Sequence, residues 1–218
     1  MAARLVAYTI PAATGDPGGP VTPERFIAYC ARVSNPENQH NHATAGKLLK
    51  YLIDHAHWSP FEMVSLTIEI ETTRDIARQV LRHRSFSFQE FSQRYAEVPP
   101  AMVQREARLQ DSKNRQSSVV NNDADLSAWW AKAQVVVDET AKRFYREALA
   151  RGIAKEVARA VLPEGLTPTR LYMAGTLRSW IHYVQLRSGN GTQLEHRQLA
   201  LEVREVVLST FPSLKEVL

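Results

Sequence analysis

The 218 residues contain a single cysteine, Cys30. One thiol excludes an internal disulfide framework and any all-cysteine metal site within one chain. No apolar run approaches the roughly 20 residues that would cross a bilayer. The opening stretch, Met1 to Ile10, lacks the length and order of a secretory signal, so a cytoplasmic location is expected. No internal repeat is visible, and no contiguous stripe of Lys and Arg runs along the chain. Lysine itself is scarce: by direct count about 20 of the 27 basic residues are Arg. Arg offers a planar fork that grips phosphate or carboxylate at two points, which Lys cannot do. The net charge of +4 is modest, so nucleic acid, nucleotides and phosphorylated cofactors all stay open as anionic partners. At 44% hydrophobic and 23% charged residues, the chain reads as an ordinary globular protein that buries a sizeable core.

Periodicity organises the rest. Leu5 to Ile10 reads as a short strand, and residues 11 to 22, with Pro11, Pro17, Gly18, Gly19 and Pro20, as a loop. Thr22-Pro23-Glu24 looks like an N-cap with Pro at the first helical position, opening a helix to Val33. A second helix covers about Ala45 to His55. Met63 to Thr72 is the clearest strand, because Val64, Leu66, Ile68 and Ile70 alternate with polar residues. Thr73 is placed to cap a helix that ends near Arg84. Residues 99 to 125 are polar and read as an exposed excursion. Helices are expected from Leu126 to Arg151, Ile153 to Val161, Leu177 to Leu186 and Gln193 to Leu208, with a short strand at Arg170 to Gly175. Strands and helices do not alternate as βαβ units, which favours α+β. One domain over 1–218 is expected.

The densest chemistry lies in Arg82-His83-Arg84-Ser85-Phe86-Ser87-Phe88-Gln89-Glu90-Phe91-Ser92-Gln93-Arg94-Tyr95, read as a turn-like stretch after a helix. Cations and hydroxyls at this density can surround phosphate with charge-assisted bonds. Glu90, among them, can hold an Arg in place or accept from a ring N–H or a hydroxyl. Two other readings use the same residues. One is a solvated, charge-mixed loop. The other is a nucleic-acid-binding patch, in which Phe86, Phe88, Phe91 and Tyr95 would stack bases. Elsewhere, His40-x-His42 and His55-x-His57 have no carboxylate at ligand spacing, so no metal site is expected. Trp129-Trp130 reads as core or interface packing, and Gly189-Asn190-Gly191 as a turn.

The same segment resembles the signature of flavin-dependent thymidylate synthases: Arg-His-Arg, then Ser, then Arg-Tyr. Three further stretches resemble that family in order and spacing. They are Cys30-Ala31-Arg32-Val33-Ser34, His57-Trp58-Ser59-Pro60-Phe61-Glu62, and Leu177 to Tyr183 with Leu186-Arg187 and Gln193-x-Glu195. The resemblance implies an α+β fold of the thymidylate synthase-complementing protein type, with a central, mostly antiparallel sheet packed with helices. It implies methylation of dUMP to dTMP, with 5,10-methylenetetrahydrofolate as carbon donor and NADPH as reductant through bound FAD. It also implies a homotetramer with sites between subunits, and neither a nucleic-acid nor a membrane partner.

Position by position, the resemblance places Ser34, His57, Ser59, Glu62, Arg82, His83, Arg84, Gln89, Glu90, Arg178 and His182 at the flavin. It places Gln79, Arg82, Glu90, Phe91, Ser92, Gln93, Arg94, Arg159 and Arg187 at the nucleotide. Arg94, Ser92 and Arg159 suit a 5′-phosphate. Arg187 suits the uracil edge, and with Ser92 it forms the expected catalytic pair, Ser92 positioning rather than attacking. Arg159, Arg178 and Arg187 are expected to complete the site from neighbouring subunits. Gln89 stands where Asn is common in the family, and His182 where several members carry Asn. Cys30, on an apolar helix face with no neighbouring base, is expected in the core and not as a nucleophile.

Overall fold

The alternation read at Met63 to Thr72 is the spine of the molecule. The computed structural model, which describes residues 1–12 and 19–218, places strand β2 at Ser65–Thr73. Leu66, Ile68 and Ile70 are almost completely buried on one face, while Ser65 and Glu71 stay wet. β2 pairs antiparallel with β1 (Ala2–Tyr8) and with β6 (Pro168–Thr176), and β3 (Ser87–Glu90) closes the far edge. The order is β1-β2-β6-β3, with every pairing antiparallel. Helices α1 (Pro23–Ala31), α2 (Ala45–Asp54), α3 (Arg74–Val80), α6 (Leu177–Arg187) and α7 (Leu194–Thr210) enclose the apolar side. The chain is therefore α+β, as the periodicity predicts. Among the described residues no helix is long and apolar enough to cross a membrane.

Several boundaries differ from the sequence expectation, each for a physical reason. β1 starts at Ala2 because Ala2, Ala3 and Arg4 pair with Glu71, Ile70 and Glu69, and backbone pairing outweighs weak propensity. β6 is nine residues long, since it runs between two partner strands. The turn-like reading of Arg82 to Tyr95 is corrected at Ser87–Glu90, which is a strand against β6. Thr73 holds the cap position of α3, but its hydroxyl bonds the Asp75 carboxylate instead of a helix N–H. The Thr22 cap is present as expected, its oxygen accepting from the Arg25 N–H at 3.3 Å. The loop expected over 11–22 falls in its middle, at 13–18, outside the described residues.

Residues 99–125 contain a two-stranded ribbon, β4 (Arg108–Gln110) and β5 (Ser118–Val120), and their first part is pinned to α4 (Ala124–Ala150), which the short α5 (Lys155–Ala158) follows. Gln134, Asp138, Ala141 and Tyr145 form the buried stripe of α4. The Gln134 amide accepts from the Arg105 N–H at 2.7 Å and donates to the Arg105 carbonyl at 3.0 Å. Lys142 donates to the carbonyls of Pro100 (2.6 Å) and Ala101 (3.0 Å), and the Tyr145 hydroxyl accepts from the Val98 N–H at 3.2 Å. These partners satisfy backbone groups that no ladder serves. A polar strap is fixed to a polar helix stripe, which composition alone reads as mobile.

Candidate active site

α3 ends at Val80, and the chain turns through Arg82, His83 and Arg84 into β3. The turn is held by Phe86, buried against Trp180 with ring centroids 4.7 Å apart. Gly175 on β6 makes this possible: a Cβ there would lie 2.4 Å from Phe86 Cδ1. With Phe86 buried and Phe88 packed against the core, neither ring is available to stack on bases. The nucleic-acid reading loses its aromatic platform at both positions.

His83 faces α6. The Arg187 Nε–H donates to His83 Nε2 at 2.9 Å. Burial, then the charges of Arg187 and Arg82, hold the His83 pKa down at about 4. His83 is therefore neutral near pH 7, with a bare Nε2 and its proton on Nδ1. One bond thus joins a residue expected at the flavin to one expected at the nucleotide, and it lies within one chain. Arg178 likewise pairs within the chain, with Glu62.

The Glu62–Arg178 pair forms one corner of the expected flavin set. Trp58 meets His182 edge-on at 4.4 Å between centroids, and burial followed by the Arg178 charge lowers the His182 pKa. Ser59 and Glu62 lie on the single turn Ser59–Met63 that faces α6. His57 is placed by the end of α2. Ala56 adopts φ 56°, and its N–H and that of His57 return to the carbonyls of Ile53 (3.0 Å) and Leu52 (2.7 Å). This double closure is a Schellman motif, with alanine where glycine is usual. Arg82 and Arg84 are exposed and form no ion pair among the described residues. Ser34 is exposed beyond α1.

A second group surrounds Glu90. Its carboxylate meets Arg74 Nη1 at 3.2 Å and Arg78 Nη1 at 3.8 Å, and accepts from the Thr169 hydroxyl at 3.0 Å. Glu90 does hold an Arg in place, but the partner is Arg74, buried at the start of α3. Arg74 escapes the sequence reading because nothing local marks a buried cation. A polar cavity of about 380 Å³ opens beside it, lined by Arg74, Arg78, Gln93, Glu156, Arg159 and Thr167. Arg94 sits at its margin, 3.4 Å from Glu156. Ser92 lines a different, wider cavity of about 640 Å³ with Gln89, Phe91 and Tyr95. Within one chain Ser92 and Arg159 therefore do not share a cavity, and Gln89 stands with Ser92 and not with the Arg178 corner. Tyr95 is 88% exposed at this rim.

Behind His83 lies a layer that joins Gln79, expected at the nucleotide, to residues given no role by the sequence. Gln79, Tyr183, Gln193, Glu195 and His196 form one hydrogen-bonded chain. Arg105 and Arg108, from the strap, terminate it on Glu195 at 3.3 and 2.5 Å. Burial alone would raise the Glu195 pKa, but bonds from Arg108 and Gln193 and the Arg105 charge keep it below the usual carboxylate value.

This fold has an arginine- and histidine-lined turn between two groups of charged side chains. The family model described as thymidylate synthase complementing protein matches residues 20–213, and the chain belongs to that family. It is 50% identical over 218 residues to a flavin-dependent thymidylate synthase of Synechocystis, covering 100% of this chain and 99% of that one. It is 51% identical, over the same shares, to a protein of Paramecium bursaria Chlorella virus 1 described as a "probable flavin-dependent thymidylate synthase". Among solved structures it resembles a UMP/dUMP methylase from Streptomyces cacaoi bound with 5-Br dUMP. The TM-score is 0.81 and the identity 27%, over 97% of this chain and 91% of that one.

Proposed function

We propose that the chain is a flavin-dependent thymidylate synthase: it methylates dUMP to dTMP, with 5,10-methylenetetrahydrofolate as carbon donor and NADPH as reductant. The observation that carries this reading is the Arg187–His83 bond, which couples the residues assigned to flavin directly to those assigned to the nucleotide. The donor set fits an FAD. Arg82 and Arg84 offer exposed guanidinium groups with no ion pair among the described residues, and Arg178, His57, Ser59 and His182 add donors on one adjoining surface. The dinucleotide's phosphates suit such forks. Bound FAD would supply reversible hydride transfer, which amino-acid side chains do not provide.

The protein's own residues then bind and polarise the substrate. Arg187 uses Nε on His83, and its two terminal nitrogens have no partner among the described residues. They are free to meet a uracil oxygen and to stabilise charge that develops on the ring as C5 becomes nucleophilic. The bare Nε2 of neutral His83 accepts without adding a competing positive charge. Arg78 and Arg159 offer cations to a 5′-phosphate in the polar cavity, with Arg74 neutralised beneath them by Glu90. Arg94 approaches the same phosphate from the margin of that cavity, and Ser92 approaches the nucleotide from a second subunit, which accounts for its separation from Arg159 within one chain. Cys30 takes no part. Burial raises its thiol pKa, which disfavours the thiolate that a nucleophile needs.

Self-association as a homotetramer is supported by α4. Trp129, Val136, Val137 and Phe144 leave 49–62% of their surfaces exposed, at helical spacing. The experiment is an absorbance spectrum. Purified protein is expected to be yellow, with a flavin band that changes when dUMP is added. Colourless protein that takes up no FAD would refute the reading.

A further inference from the structure

Gln79 lies one turn before His83 on α3, and its side-chain amide is tied at both ends. Nε2 donates to Gln193 Oε1 at 2.7 Å, and Oε1 faces His196 Nδ1 at 3.2 Å. His196 is completely buried, and its Nε2 lies 3.1 Å from the hydroxyl of Tyr183, which is 1% exposed. From Gln193, the chain continues through Nε2 to Glu195 Oε2 at 2.9 Å.

The direction of every bond follows from Glu195. With Arg105 and Arg108 on it, its carboxylate is ionised and only accepts. Gln193 must therefore turn its NH2 to Glu195 and its oxygen to Gln79. Gln79 must turn its NH2 to Gln193 and its oxygen to His196. An amide oxygen cannot donate, so His196 must carry its proton on Nδ1. Its Nε2 is then a bare lone pair, and the Tyr183 O–H must donate to it. One carboxylate sets the orientation of two amides, one tautomer and one hydroxyl.

We propose that Tyr183 and His196 are positioning residues that lock the Gln79 amide into a single orientation for the nucleotide. Neither touches the ligand. The locked amide keeps one N–H and one oxygen lone pair beyond those used in the chain. They form a donor beside an acceptor, the complement of an imide edge. Free to flip, the amide would present the two groups in reverse. The inference rests on the reading of Gln79 as a nucleotide-facing residue, and supplies the buried groups that make that residue selective.

The test uses the FAD-loaded enzyme. His196→Leu, which removes the Nδ1–H, is expected to raise the KM for dUMP by about tenfold, the scale of one lost hydrogen bond. Flavin content should hold and kcat should change by less than about threefold. His196→Asn places an amide N–H near the former Nδ1 and should restore KM to within about threefold of wild type. Tyr183→Phe preserves the packing and gives an intermediate KM even if His196→Leu fails to fold. Long-range 1H–15N spectra of histidine-labelled wild type, with His196→Asn as the assignment control, should show His196 protonated at Nδ1 and bare at Nε2. The opposite tautomer, or an unchanged dUMP KM in a folded His196→Leu or Tyr183→Phe enzyme, overturns the proposal while leaving the functional reading intact. Wild-type enzyme that does not bind dUMP at all would overturn both.

Discussion

Two neutral histidines make this protein sensitive to mild acid. His83 is held at about 4 by burial and the Arg187 and Arg82 charges. His196 is held at about 3 by burial, then the Arg187 and His83 charges. In the unfolded chain both return to roughly 6.5. The unfolded state therefore binds more protons below pH 6.5, and stability falls with pH until the folded pKa values are reached. Between pH 7 and 5, each such histidine takes up most of one proton on unfolding, which costs about 1.9 kcal/mol. His196 is fully buried and contributes in full; discounting the partly exposed His83 by about half gives a total near 3 kcal/mol. Urea unfolding at fixed protein concentration, at pH 5 and pH 7, measures the difference. The double variant His83→Gln, His196→Leu should lose most of this pH dependence, although it is less stable at pH 7. A double variant as acid-sensitive as wild type would refute the assignment of both histidines as neutral and buried.

Other perturbations are equally specific. Gly175→Ala drives a methyl group into the Phe86 ring; overpacking at this scale costs about 1–3 kcal/mol, and because Phe86 carries the His83 turn, dUMP affinity should fall with the melting temperature. A folded Gly175→Ala protein with unchanged stability would contradict the close approach. Ala56→Gly relieves a left-handed alanine and should stabilise by about 0.5–1 kcal/mol after the extra chain entropy of glycine is counted, visible as a higher urea midpoint with normal activity. Cys30→Ala should keep kcat within about twofold and lose roughly 1 kcal/mol of stability from its half-buried methylene and sulfur; abolished turnover in a folded protein would reinstate a thiolate mechanism.

Much of this architecture is legible in the sequence wherever one local period decides it. The Val64 to Ile70 alternation identifies β2, and Thr22-Pro23 identifies the start of α1. β3 is harder to read, although Phe86 and Phe88 point inward and Ser87 and Gln89 outward. Charges crowd a strand of only four residues and mask its period. The charged half of the site is visible because cations cluster between Arg82 and Arg94. Arg74, Tyr183 and His196 are not, since each looks like ordinary helix content until a partner far along the chain is known. Glu90 meets Thr169 across 79 positions, and Arg108 meets Glu195 across 87. The same distance effect explains the strap: a polar segment looks mobile until Gln134 and Lys142 are seen to satisfy its backbone.

The central claim is a flavin-mediated reaction at C5 of dUMP, and tritium release from C5-labelled dUMP tests it most directly. With 5,10-methylenetetrahydrofolate and NADPH present, the FAD-loaded protein should release tritium in step with dTMP formation, and flavin-stripped protein should release none until FAD is restored. No release from loaded protein, or equal release without flavin, would contradict the account.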